Sequence, residues 1–347
     1  MNGYQRIQNA LELKPVDRTP VWFMRQAGRY LPEYRALKSK SDFRTMVQTP
    51  DLATEVTLQP LRRFPQIDAA ILFSDILVIP EAMGMDYDFR ESGGISMDWS
   101  FRSDRDLSRL DDGAIEERLA YVFQALAQIR MELGDEKALF GFGGSPWTLA
   151  TYMVEGGSSK EFANIKAMGF ERPDLLEQLL ELITSALIRY FRRMQQSGVQ
   201  AIQIFDSWGS ACPGICYESW SLKWIRRIID EVGQSVPFIL FSKGMGAHRE
   251  AWIRTGARVL SLDSSLKLGD FVNQEGRTHA IQGNLDPLLL SMTPEVVRRA
   301  TRELLDPAGP IPGHIFNLGH GILPHARIES VESMLEAVDA VRGPVSG

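Results

Sequence analysis

The chain has 347 residues, 44% hydrophobic and 24% charged, with a formal net charge of −6. That is enough apolar material for a large core, without the marks of bulk disorder, and the net charge argues against a nucleic-acid binder. Its two cysteines, Cys212 and Cys216, are too few for a disulfide-stapled secreted scaffold and fit a reducing cytoplasm. No run approaches the roughly 18 apolar residues of a membrane-spanning helix. Residues 1–20 mix Arg6, Glu12, Lys14, Asp17 and Arg18 into their apolar positions, which is unlike a signal peptide.

Charge is unevenly placed along the chain. Residues 1–50 carry nine basic and four acidic side chains, a local +5 that leaves −11 for the remainder, and such a segment can steer an anion to an acidic protein. Lys40 and Arg44 read as a solvated helix face. Arg25 and Arg29 do not, because they directly follow the apolar run Val21-Trp22-Phe23.

Eight short, continuous apolar runs follow one another at 21–24, 67–73, 138–142, 199–205, 236–241, 258–262, 279–282 and 315–318. Continuity rather than alternation predicts strands buried on both faces, as in a parallel sheet. Between them, helical periodicity is clearest at 52–64, 114–133, 173–196, 220–232, 294–305 and 328–341. Residues 84–110, rich in charge and containing Gly93-Gly94, read as a loop inserted after the second strand. The alternation predicts a single α/β domain over 1–347, a (β/α)8 barrel of the TIM type.

Most of the runs end in polar residues: Arg25-Gln26, Ser74-Asp75, Asp206-Ser207, Ser242-Lys243-Gly244, Asp263-Ser264 and Gly319-His320 among them. Barrels of this kind build their active sites at the carboxyl ends of the strands. Turn chemistry also favours Gly and Ser there, but not Arg, Asp and His. Asp75, after an apolar run, is either a helix N-cap or a desolvated carboxylate held for a positive charge. Taken singly, Tyr152 reads as a core aromatic, Ser207 as a helix cap and His320 as a turn residue. Residues 155–160 lack the spacing of a phosphate-binding loop. Cys212 and Cys216 without a neighbouring histidine read as ordinary thiols.

Four motifs together are more specific: Met24-Arg25-Gln26-Ala27-Gly28-Arg29-Tyr30, Phe73-Ser74-Asp75-Ile76, Thr151-Tyr152-Met153-Val154-Glu155-Gly156-Gly157 and Asn317-Leu318-Gly319-His320-Gly321. The chain resembles the uroporphyrinogen decarboxylases over nearly its whole length. The resemblance implies decarboxylation of the four acetates of uroporphyrinogen III to coproporphyrinogen III in tetrapyrrole (heme and chlorophyll) biosynthesis. It implies no metal or organic cofactor, a cytoplasmic homodimer whose clefts face each other, and neither nucleic acid nor membrane as partner. By residue, it implies that Asp75 gathers the pyrrole NH groups and that Arg25 and Arg29 hold carboxylates, Arg25 also being a candidate proton donor. Gln26, Ala27 and Gly28 would offer backbone contacts, and Tyr152, Ser207 and His320 would line the same cleft. Two positions depart from the family pattern, Lys38 where relatives often carry arginine and Leu262-Asp263-Ser264-Ser265 where many carry Leu-Asp-Trp-Thr. Two other readings are a zinc- and corrinoid-dependent methyltransferase, which would present His-x-Cys at a strand end as this chain does not, and a non-catalytic tetrapyrrole carrier.

Overall fold

The computed structural model describes residues 1–90, 94–273, 275–305 and 309–343. In chain order the strands are β1 (Ala69–Ile71), β2 (Tyr87–Phe89), β3 (Ile95–Met97), β4 (Ala138–Gly144), β5 (Ala201–Asp206), β6 (Phe238–Ser242), β7 (Val259–Ser261), β8 (Ala280–Gln282) and β9 (His314–Ile315). Seven of them form one parallel sheet in the order β1-β4-β5-β6-β7-β8-β9. Apart from the β2–β3 hairpin, neighbours in the sheet are consecutive in sequence, which parallel pairing permits only if each connection crosses back over a face. The helices make those crossings. Among them, Pro173–Gln196 has the predicted bounds, beginning at a proline whose missing N–H costs nothing at that position. It packs Leu176, Leu180, Ile183, Leu187 and Phe191, spaced three or four apart, on its buried side.

Seven of the eight predicted strands are present; 21–24 is not one of them. Val21 makes a single parallel bridge to Phe316. Backbone bonds run from Phe316 to Pro20 and from Trp22 to Phe316 on one side, and from Asp68 to Val21 on the other. A longer ladder is prevented because side chains take the amides: Val21 N–H donates to Asp68 (2.8 Å), Phe23 to Gln26 (3.2 Å) and Met24 to Asn317 (3.1 Å). Buried Asp68 also accepts from Arg18 (2.6 and 2.9 Å) and Arg6 (3.0 Å), so one carboxylate fastens the N-terminal segment beside β1. Inside the sheet, the Gln282 amide donates to Gln203 and Ser261, and accepts from the Trp22 indole (2.9 Å). This buried polar chain is closed on itself, as burial requires.

The predicted helix 114–133 is broken at Leu119 into Ile115–Arg118 and Ala120–Leu133. That at 220–232 starts at Lys223 after one wide turn, Glu218–Leu222. The stretch 84–110 is not simply a loop. It contains the antiparallel pair β2–β3, in register Tyr87 with Met97, together with the short helix Asp104–Leu107. Residues 91–93 of that stretch lie outside the described residues. The hairpin docks by a bridge from Ser96 to Gly157. Gly157 has φ +135°, and a Cβ there would run into the Ile95 carbonyl, so this close approach needs glycine. No helix among the described residues is long and apolar enough to cross a membrane.

Candidate active site

The carboxyl ends of β1, β4 and β5 open, with the loops at 24–30 and 317–324 and the β2–β3 hairpin, onto a cavity of about 1610 Å³. Arg25, Gln26, Ala27, Gly28, Arg29, Asp75, Tyr152, Ser207 and His320 all line it, although they come from five separate stretches of chain. Another cleft of about 540 Å³ lies against Glu218, Arg226 and His248. None of the candidate residues lines that cleft, and its Arg226 is already paired with Glu218 at 2.5 Å.

Arg25 carries the backbone tension of the site. Its φ is +64°, a left-handed conformation uncommon for a side chain of this size. The side chain is accessible from the cavity yet enclosed by protein, and its pKa is lowered by burial and by Arg29, against the pull of Asp75 and Tyr152. Its path runs where a side chain at Gly321 would be: a Cβ there would lie 2.9 Å from Arg25 Cγ and Nε and closer still to Cδ. The glycine after His320 therefore makes room for the arginine. Arg29 is exposed on the same wall.

Asp75 combines both of its sequence readings. Oδ1 accepts the Leu77 N–H at 2.9 Å, a local turn contact ahead of the helix Val78–Ala82. Oδ2 has no side-chain or cationic hydrogen-bond donor among the described residues. Burial pushes the carboxyl up from its ordinary value, opposed by the Leu77 amide and by the charge of Arg25. Tyr152 stands on the helix Pro146–Glu155, capped at its start by Ser145. Burial raises the pKa of its phenol, and its ring meets Trp208 edge-on at 5.9 Å.

His320 is held to about 4 by burial and by the cations Arg25 and Lys243, with Asp263 opposing. Its Nδ1 accepts the Gly321 N–H at 2.8 Å, so the neutral ring carries its proton on Nε2 and is a donor there. Gln26 differs from expectation, because both its backbone groups are used within the loop: its N–H donates to Phe23 and its carbonyl accepts the Tyr30 hydroxyl at 2.8 Å. Its amide side chain donates to Ala69 at 3.0 Å. It shapes the loop rather than offering a free backbone contact. The Ala27, Gly28 and Arg29 amides have no such partner among the described residues.

Several wall residues were not among the expected site residues. Lys243 follows β6 and lines the cavity, as do Lys38, Phe142, Phe205 and Trp208. The Ser74 hydroxyl and the Trp208 indole N–H are buried without a partner of hydrogen-bond geometry, the indole lying near enough to the Tyr152 phenol to oppose the rise of its pKa. Polar ends of short strands were visible in the sequence; an unpaired donor is visible only once its neighbours are in place. Arg44 is no plain solvated residue. It pairs with Asp86 (2.7 Å) and Glu81 (3.3 Å), bonds the Tyr87 carbonyl, and so ties the hairpin to the helix Phe43–Gln48. Lys40 is exposed as expected.

Cys212 is buried, and desolvation raises its thiol pKa, as it does for Cys216; both are poor thiolate ligands. No cluster of three or more His, Cys, Asp or Glu suited to a metal ion occurs among the described residues. Beside the departing Ser264 and Ser265, Asp263 is committed to the Gly244 amide and to Ser265.

Among solved structures, a methyltransferase from Methanosarcina mazei superposes with TM-score 0.78 at 20% identity, covering 98% of each chain. A B12-independent methionine synthase from Shewanella gives TM-score 0.53 at 13% identity, over 84% of this chain and 85% of the other; at such identities the likeness is one of fold. Sequence relatives reach further. Uroporphyrinogen decarboxylase of Alkalilimnicola ehrlichii is 48% identical over 96% of this chain and 93% of its own length, and that of Magnetococcus marinus 44% identical over 97% of both. With a family model described as uroporphyrinogen decarboxylase matching residues 3–341, the chain belongs to the uroporphyrinogen decarboxylase family.

Proposed function

We propose that this chain decarboxylates uroporphyrinogen III to coproporphyrinogen III in tetrapyrrole synthesis, with Asp75 and Arg25 as its catalytic residues. The convergence of Asp75 with Arg25, Arg29, Tyr152, Ser207 and His320 on one large cavity carries the reading. Loss of CO2 from an acetate breaks a C–C bond and leaves an electron pair that needs an acceptor. A pyrrole protonated at carbon is a cationic, iminium-like acceptor, so the substrate supplies its own sink. Reprotonation of the methylene then gives a methyl group, and the ring carbon gives its proton back, for a net uptake of one proton per CO2.

Each wall residue has a part in this sequence. Asp75, with one oxygen free of cationic donors, faces the pyrrole NH groups and favours the cation. Arg29 and Arg25 bind carboxylates through the guanidinium fork. Burial and the neighbouring Arg29, which lower the Arg25 pKa, support it as a proton donor. Neutral His320 and Tyr152 add hydrogen bonds, as do Ser207 and the amides of Ala27 and Gly28. The mechanism needs no added cofactor. An anaerobic assay with uroporphyrinogen, following products by carboxylate count, tests it; activity lost on chelation and restored by zinc or a corrinoid would favour the methyltransferase reading, and binding without CO2 release the carrier.

Three coarser features belong to the same proposal. The segment 20–22, bonded on both sides, serves as the eighth stave of a (β/α)8 barrel, supported by the bonds of Trp22 to Phe316 and to Gln282. Residues 1–347 form one domain. The working form is a cytoplasmic homodimer with its cavities facing, an assembly that sedimentation analysis would test.

A further inference from the structure

Asp206 is a buried carboxylate to which the mechanism gives no part. It ends β5 with no measurable exposure, and four hydroxyl groups donate to it. Ser145 (2.6 Å) and Ser221 (3.1 Å) bond Oδ1, while Tyr217 (2.9 Å) and Ser242 (2.8 Å) bond Oδ2. None of the four donors is charged. Two hydroxyls at each oxygen satisfy the carboxyl group, whose pKa burial raises and these hydrogen bonds oppose. Such an arrangement is costly for a core and is tolerated only when every member is satisfied.

Two of the donors, Ser145 and Ser242, lie next to something that reaches the cavity. Ser145 caps the helix that carries Tyr152, its hydroxyl also accepting the Thr148 N–H at 3.0 Å. Ser242 precedes Lys243, whose N–H bonds the Asp206 carbonyl. Tyr217 is held in turn by the Trp252 indole at 3.1 Å. Asp206 itself precedes Ser207 and Trp208, and the Trp208 carbonyl accepts the Trp147 indole at 2.9 Å. Thus Tyr152, Ser207 and Lys243, on three different elements, are all fixed within a residue or one helix of the same carboxylate.

We propose that Asp206 is a positioning residue for the decarboxylation: its hydroxyl-saturated carboxylate sets the relative places of Tyr152, Ser207 and Lys243, the wall against which each successive acetate is aligned. This rests on the decarboxylase reading of the cavity. Arg25 and Arg29 hang from a different loop, so loosening this wall leaves carboxylate binding in place and spoils alignment. Because four acetates must react in turn, poor alignment also gives partly decarboxylated porphyrinogens time to leave.

The test compares wild type, Asp206→Asn, Ser242→Ala and the double variant, with Val297→Ala as a core-destabilised control remote from the cavity. Asn places an NH2 group where two hydroxyls donate, so their network must rearrange. Expected for Asp206→Asn is a fall in kcat of roughly 10- to 100-fold, the scale of a small misplacement, with KM changed far less. Hepta-, hexa- and pentacarboxylate products should be released in excess, and the double variant should lose less than the product of the single losses. Should Asp206→Asn fail to fold, Ser242→Ala and Ser221→Ala carry the comparison, with lowered kcat and excess intermediates upholding the proposal. Unchanged kcat and product distribution in folded variants overturns it, as does an equal loss in Val297→Ala. A wild-type protein that releases no CO2 would instead overturn the decarboxylase reading.

Discussion

Asp75→Asn separates charge from shape. The amide keeps an acceptor for the Leu77 N–H, which Asp75 Oδ1 now takes at 2.9 Å, and replaces the cavity-facing oxygen by an NH2 group, so the negative charge and one acceptor are lost with the shape retained. A unit charge about 4 Å from a cation, at an effective dielectric near 20, contributes on the order of 4 kcal/mol. Arg25 already neutralises part of that field, so the expected loss in kcat is about two to three orders of magnitude, the scale seen when one transition-state-stabilising group is removed. Stability should move the other way. Burial raises the Asp75 pKa, so between the ordinary carboxylate value and the raised one the folded protein binds more protons than the unfolded chain. Stability therefore falls as pH rises through that window and stays reduced above it. Asparagine removes the burden, and the variant should melt at or above the wild-type temperature at pH 7. Single-turnover decarboxylation under anaerobic conditions, with calorimetry beside it, reads both effects. A folded variant that binds substrate and turns over at near wild-type rate would falsify the electrostatic role and leave Asp75 as a turn-former.

Arg29→Ala should raise KM and flatten the salt dependence of kcat/KM, because a charge-assisted contact to a carboxylate is lost; an unchanged salt slope would reduce Arg29 to solvated surface. Gly321→Ala should push the Arg25 side chain aside and lower kcat/KM by about tenfold or more with little effect on melting, and a crystal structure showing Arg25 unmoved would refute the steric account. His279, His314 and His320 are each held to about 4, below the ordinary 6.5, so the unfolded chain binds more protons between the two values and stability rises with pH across that interval. For His314, fully enclosed and bonded to the Gly283 carbonyl at 3.1 Å, the loss on acidification to pH 4 is on the order of 3 kcal/mol; urea midpoints flat from pH 7 to 4.5 would contradict it. Asp68→Ala removes the buried two-pronged partner of Arg18, which keeps Asp339 at 3.1 Å, and should destabilise by about 3 kcal/mol, while an unchanged urea midpoint would show that the N-terminal segment is held by other contacts.

Sequence alone located the strands within 67–73, 138–142, 199–205, 236–241, 258–262 and 279–282, and the helix at 173–196, because burial on two faces or on one writes itself into local apolar spacing; of the run 315–318 only Ile315 lies in β9, His314–Ile315. The four motifs meet at one cavity, since each is a short stretch at a strand end or helix end where polar side chains are confined to one side. Tertiary structure decided what depends on partners far along the chain. Residues 21–24 look like a strand and are not, because Asp68 and Asn317 intercept their amides. The β2–β3 hairpin is too short to announce itself and is fixed by Gly157 and Arg44. Asp206 reads as one more acid after a strand until Ser145, Tyr217, Ser221 and Ser242, between 11 and 61 residues away, close around it. Local pattern records which side of an element is buried; which polar groups meet there is set by packing, and no spacing along the chain encodes it.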